Sequence, residues 1–177
     1  MLSAMRIRLA TIDDAAAIRE IYNREVETST VTFDLVPRSL RQQRDWISAR
    51  SGAFAVVVAE TEAESETETE AEGQPAVTAF GSLSPYRDRP AYTTSVEDSV
   101  YVHRDHQGRG VGKLVLGELL RVATAHGFHA VFARIVGGHQ ASIGLHRALG
   151  FEIVGTEREV GRKFGQWLDV VVMERLL

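Results

Sequence analysis

The segment Val100-Tyr-Val-His-Arg-Asp-His-Gln-Gly-Arg-Gly-Val-Gly-Lys113 decides how this chain is read. A β-rich apolar run ends at Val102, a short polar turn follows, and alternating glycines open a long amphipathic stretch. Gly108, Gly110 and Gly112 remove side chains where a backbone must come close to something bulky. They stand at the start of a predicted helix, where unpaired N–H groups and the helix dipole attract anions. Arg109 and Lys113 add positive charge. The segment reads as a phosphate cradle between a strand and a helix.

Its spacing separates three kinds of cradle. A Walker-type loop needs four residues between its first glycine and Gly-Lys, then Ser or Thr. Here three residues separate Gly108 from Gly112, and Leu114 follows Lys113, so no hydroxyl is placed for magnesium. A dinucleotide fingerprint needs G-x-G-x-x-G, whereas this segment is G-x-G-x-G. The third pattern, Gln/Arg-x-x-Gly-x-Gly/Ala after a strand, is the pyrophosphate loop of the GNAT superfamily of N-acetyltransferases. Gln107-Gly108-Arg109-Gly110-Val111-Gly112 resembles it closely.

Outward from the cradle, 177 residues predict a single domain, 1–177, long enough to bury a proper core. The absence of cysteine excludes disulfides, thiolate metal sites and a cysteine nucleophile. Met1 to Met5 carries no signal-type apolar region, and the longest apolar run, Ala53 to Ala59, is too short to span a bilayer. A cytoplasmic protein without membrane contact is expected. Seven glutamates occupy alternate positions from Glu60 to Glu72, and removing their charge from the net −4 leaves +3. That mild basicity suits a phosphorylated co-substrate and is too weak to argue for nucleic acid.

Along the chain, Arg6 to Leu9 reads as a first strand and Thr11-Ile-Asp-Asp14 as a capping box. Ala15, Ile18, Tyr22 and Val26 follow at helical spacing. Pro37 and Ser39, with Gln42 three residues on, announce a second helix through Ile47. Phe54 to Ala59 and Val77 to Leu83 read as paired strands around a low-complexity acidic loop at 61–75, expected to be disordered. Tyr92 to Val102 is predicted as one long strand. The helix from Gly110 presents Val111, Leu114, Val115, Leu119, Val122 and Ala123 on one face and stops at Gly127. Ala130 to Val136, a short helix ending at Gly150, and strands at Phe151 to Val154 and Leu168 to Met173 complete a mixed α/β sheet with helices on both faces.

With these pieces placed, the whole chain resembles one GNAT branch, the phosphinothricin and methionine-sulfoximine N-acetyltransferases. The matching pieces are Ile21-Tyr-Asn23, Glu27 to Phe33, Ala91-Tyr92, Val96-Glu97, Ser99 to Val102, Ala141 to His146, Leu149-Gly-Phe151 and Gly165 to Asp169. The acidic segment is the one long stretch outside the pattern. The resemblance implies a sheet splayed between two parallel strands, with acetyl-CoA in the gap. Val100, Tyr101 and Val102 then pair their backbone with the pantetheine arm, as an added strand does. Gln107, Gly108, Arg109, Gly110, Val111, Gly112 and Lys113 hold the pyrophosphate. A homodimer is also expected from the relatives.

An amine attacks a thioester only as the free base, so a base must accept its proton, directly or through water. Strand alternation puts Glu97 on the face opposite Val96, and the family places its glutamate there, so Glu97 is the candidate base. His146 stands where the family keeps a histidine, and either assists the proton transfer or orients substrate. No tyrosine follows Tyr101, so the group that protonates the departing thiolate is unassigned. His139 replaces an asparagine of the family that contacts the cofactor arm, and an imidazole cannot copy both amide functions. Arg87 is the candidate for a substrate carboxylate; Thr30, Phe33, Ala91 and Tyr92 line the same pocket.

The histidine pairs His103/His106 and His126/His129 lack partners that complete a metal site, so no metal is expected. The expected activity is acetyl transfer from acetyl-CoA to the amino group of a small amino acid or analogue, in a ternary complex. The rival readings are a non-catalytic CoA-binding sensor or partner-binding module, and the same chemistry on a polyamine or protein N-terminus.

Overall fold

The computed structural model describes residues 5–61 and 76–177. The expected acidic loop falls, apart from Thr61, outside the described residues. Among the described residues, seven strands form one sheet in the order β1-β2-β3-β4-β5-β7-β6. They are β1 (Met5–Leu9), β2 (Val57–Thr61), β3 (Ala76–Pro85), β4 (Ser95–Val102), β5 (Ala130–Val136), β6 (Glu152–Lys163) and β7 (Gln166–Leu176). Every neighbouring pair is antiparallel except β4 and β5, which run parallel.

Four helices cover the two faces: α1 (Ala15–Thr28), α2 (Leu40–Ser48), α3 (Val111–Ala125) and α4 (Gln140–Arg147). Period-two alternation sorts the strand side chains between them. Val57, Ala59, Ala79, Leu83, Val96 and Val131 pack with Val111, Val115 and Leu119 of α3 and Ile143 of α4. Val56, Val58 and Phe80 point the other way, onto Ile18, Tyr22 and Val26 of α1 and Ile47 of α2. The expected α/β sheet with helices on both faces is what the chain forms.

The expected capping box at Thr11 is present, and Ser39 with Gln42 forms a second one at the start of α2. At Thr11 the backbone N–H donates to Asp14 Oδ2 at 2.7 Å, ahead of a short 3-10 turn that leads into α1. Ser39 Oγ accepts from the Gln42 N–H at 3.2 Å while Gln42 Oε1 accepts from the Ser39 N–H at 2.7 Å. Such caps contribute about 1 kcal/mol each.

Several expected boundaries move. Phe54 ends a 3-10 turn and β2 begins at Val57; Tyr92 also lies in a 3-10 turn, and β4 begins at Ser95. Leu114 is 47% exposed, and Leu116 and Leu120 take the buried positions beside Val115 and Leu119. The last two strands are much longer than expected, because β6 and β7 form a hairpin that turns only at Phe164-Gly165, both at positive φ. β6 is mostly exposed, so it lacks the continuous apolar run by which a buried strand is recognised.

Candidate active site

β4 and β5 share only three residue pairs, Ser95 with Ala130, Val96 with Val131 and Glu97 with Phe132. Beyond them β4 continues to Val102 on its pairing with β3, and β5 to Val136 on its pairing with β7. The two strands therefore splay apart, and residues 98–102 and 133–136 face a gap with no strand between them. A backbone polar group without a partner favours whatever restores one, and an extended amide-bearing chain fits such a gap. Below the gap lies a cavity of about 320 Å³, lined among others by Glu97 to Val102, Ala133 to Val136, His139 and His146.

The glycine segment sits at the end of this gap. Gly110 caps α3 at φ 80° and Gly108 stands at φ 74°, a left-handed conformation that side chains resist. A Cβ at either would meet nothing within 4 Å, so the backbone, not crowding, requires glycine there. The N–H groups of residues 108–112 have no protein acceptor among the described residues. Gln107 lines the cavity, and its Nε2 donates to the Val102 carbonyl at 3.3 Å. Free amides, a helix start and the cations Arg109 and Lys113 suit a pyrophosphate, so the residues present fit acetyl-CoA.

At the apex of the splay, consecutive residues of β4 point to opposite faces. Glu97 lies on the α1 side, half-buried in the cavity lining. Burial raises its carboxyl pKa above the ordinary carboxylate range, against the pull of Arg134 and with help from Asp98 and Glu157. Arg134, on the same side of β5, is held in a two-pronged pair with Glu157 of β6. A proton acceptor with a raised pKa suits base work near neutrality better than an ordinary surface carboxylate.

Asp98 points to the α4 side and meets His146. The imidazole Nε2 lies 3.1 Å from Asp98 Oδ2 and Nδ1 lies 2.7 Å from the Ser142 carbonyl. His146 is 3% exposed and Asp98 6%. Burial disfavours the imidazolium, but the Asp98 hydrogen bond and charge and the Ser142 carbonyl outweigh it, so the histidine pKa is raised.

One wall of the cavity is built from the loop after α1. Tyr22 Oη donates to Asp34 Oδ2 at 2.5 Å, and Lys163 Nζ donates to the Thr32 carbonyl at 2.8 Å. Thus pinned, the loop lays Phe33 over Gly161 of β6 and into the cavity lining. His139 lines the cavity too, and burial lowers its pKa against the opposing charge of Glu25.

The cavity thus collects Phe33, Glu97, Val100, Tyr101, Val102, Gln107, His139 and His146. Thr30, Arg87, Ala91 and Tyr92 are outside its lining. Arg87 is exposed, over the rings of Tyr86 and Tyr92 with centroid distances of 5.0 and 5.8 Å. Sequence reasoning missed Asp98 and Arg134. Arg134 interrupts the apolar run of β5, a signal that was available; Asp98 gave none beyond its place next to Glu97.

The model of the acetyltransferase (GNAT) family matches residues 16–151. A phosphinothricin N-acetyltransferase of Streptomyces coelicolor is 37% identical over 98% of this chain and 96% of its own length. An L-methionine sulfoximine/L-methionine sulfone acetyltransferase of Pseudomonas paraeruginosa is 36% identical, covering 95% and 92%. The crystal structure of a phosphinothricin acetyltransferase from Sinorhizobium meliloti in complex with AcCoA superposes with a TM-score of 0.86 at 36% identity, covering 98% of this chain and 88% of that one.

Proposed function

The chain belongs to the GNAT acetyltransferase family, and on that premise we propose that it transfers an acetyl group from acetyl-CoA to the amino group of a small amino acid or analogue. Phosphinothricin, methionine sulfoximine and methionine sulfone are the acceptor types. The observation that carries the reading is the splay itself, with a cradle of free amides at its end and a carboxylate of raised pKa at its apex.

Acetyl-CoA, when bound, supplies a thioester carbonyl activated toward amines. Val100 to Val102 hold its arm by backbone hydrogen bonds, Gln107 to Lys113 hold its pyrophosphate, and His139 borders the arm. Glu97 accepts the proton that the attacking amine loses. Phe33 meets the acceptor from the cavity lining; Thr30, Ala91 and Tyr92, outside that lining, reach it only as their loops close, and Arg87 supplies the cation for its carboxylate. The exposure of Arg87 fits a residue that closes on substrate from the loop before β4.

The whole of 1–177 acts as one domain in this reading, in the cytoplasm and as a homodimer. The 12-residue edge strand β6 supports the dimer, because it leaves Ile153, Val154 and Val160 about half exposed. Initial velocities with acetyl-CoA varied against methionine sulfone test the direct attack. Intersecting lines are expected for a ternary complex; parallel lines, the mark of an acetylated enzyme, overturn it.

A further inference from the structure

Acetyl transfer needs two proton movements, and Glu97 accounts for one. The amine nitrogen bonds to the carbonyl carbon and gives up a proton; the C–S bond breaks, leaving its electron pair on sulfur. An alkyl thiolate leaves more readily when a proton reaches it. Tyr101, a residue with a hydroxyl close by, has its ring stacked on Phe80 and edge-on to Tyr22, each at 5.1 Å, on the α1 side.

The other side of the apex carries a stored proton. The Ser142 carbonyl can only accept, so Nδ1 of His146 must carry hydrogen. Nε2 then faces Asp98 Oδ2, and a 3.1 Å contact between a lone pair and a carboxylate is repulsive unless a proton lies between them. The pair therefore holds one proton, as imidazolium with carboxylate or as imidazole with carboxylic acid. The second oxygen, Asp98 Oδ1, is buried and has no hydrogen-bond partner. A buried carboxyl oxygen left without a partner is costly, and both residues line the cavity.

We infer that Asp98 and His146 together are the proton donor for the departing thiolate, an assignment that rests on the acetyl-transfer reading. Base and acid are then consecutive residues of β4, Glu97 serving the amine from one face and Asp98 serving the sulfur from the other. The proton of the amine goes to Glu97 and the stored proton goes to sulfur through the Asp98 carboxyl. Glu97 later releases its proton to solvent and the pair regains one, so amide and thiol form with protons in balance. His146 acts through Asp98 and is the residue that keeps it supplied. Among the described residues, Asp98 is the charged group that His146 meets; the Ser142 carbonyl faces it from α4, the Phe151 ring, just before β6, lies near-perpendicular to it with centroids 5.0 Å apart, and Glu97 is the charge next to Asp98 along β4.

The test compares two acetyl donors across pH: acetyl-CoA, and S-acetyl thiophenol, whose far more acidic thiol leaves without a proton. With wild-type protein, kcat for acetyl-CoA is expected to fall at high pH as the pair loses its proton, while the aryl donor shows no such limb. Asp98→Asn moves that limb to lower pH and cuts kcat for acetyl-CoA about 100-fold, with the acetyl-CoA KM within about 3-fold and a much smaller loss on the aryl donor. His146→Gln removes the limb. Equal losses on both donors, or a basic limb that stays in place in Asp98→Asn, overturn the assignment. A variant that does not fold leaves the two-donor comparison on wild type to decide, where a limb common to both donors overturns it. Should wild type release thiol from neither donor with any amino acid, the acetyl-transfer reading falls and this assignment with it.

Discussion

At the scale of single residues, the proposed chemistry depends on which face of β4 each carboxylate reaches. Glu97 could be put forward as the candidate base from sequence, because alternation and the family pattern agree on it, and it lines the cavity. Asp98 could not, since its partner His146 lies 48 residues on and only folding brings them together. The raised pKa of Glu97 makes a directional prediction: a base works deprotonated, so activity is lost as pH falls through that pKa. The acidic limb of kcat is therefore expected above the ordinary carboxylate range, and a limb within that range contradicts the burial argument. Arg134 holds the Glu97 pKa down, so Arg134→Leu should move the limb to higher pH. A second residue-scale prediction concerns Arg8, whose guanidinium bonds Asp14 at 2.7 and 2.8 Å and Glu60 at 2.8 Å. Burial raises the Asp14 pKa, but the Arg8 and Thr11 hydrogen bonds more than reverse it, so it ends below its ordinary value. Its stabilising contribution is full above the unfolded-state pKa and is lost as pH falls through the folded one. Arg8→Leu should cost about 2–4 kcal/mol at neutral pH, less than for a fully buried pair because Arg8 is partly exposed. Denaturant unfolding checks it, and the deficit should shrink in acid.

At the scale of elements, periodicity and caps gave α1 and α2 their ends, since those signals are local. The β6–β7 hairpin was underestimated chiefly at β6, which is mostly exposed, and an exposed strand has no apolar alternation to read. Yet that hairpin supports the cavity wall that carries Phe33. A Cβ on Gly161 would come within 2.2 Å of the Phe33 ring, so the glycine is what lets the loop after α1 rest on β6. Gly161→Ala should displace Phe33, a half-exposed ring free to move, and so raise the acceptor KM several-fold while leaving the acetyl-CoA KM alone. Its melting temperature should fall by no more than about 4 °C, the equivalent of about 1 kcal/mol in a domain of this size. An unchanged acceptor KM would show that Phe33 does not contact substrate.

At the scale of the whole molecule, the site exists because a sheet that is antiparallel elsewhere contains one parallel pair, and that pair opens after three residues. Alternating patterns predicted a mixed sheet, but the splay itself was legible only through the family resemblance, because no local pattern marks where two distant strands part. Acetyl-CoA filling the gap should bridge β4 and β5 and stabilise the fold by mass action: at 100 times its Kd the gain is about 2.7 kcal/mol. Thermal unfolding with and without acetyl-CoA reads that gain. The most direct test of the central claim is CoA-thiol release from acetyl-CoA with phosphinothricin, methionine sulfoximine and methionine sulfone, run beside Glu97→Gln with acetyl-CoA binding measured on both proteins. Saturable release with at least one amino acid, cut about 100-fold in Glu97→Gln with acetyl-CoA binding retained, is the predicted result. Bound acetyl-CoA with no release in the wild type, or equal release in the variant, would contradict it.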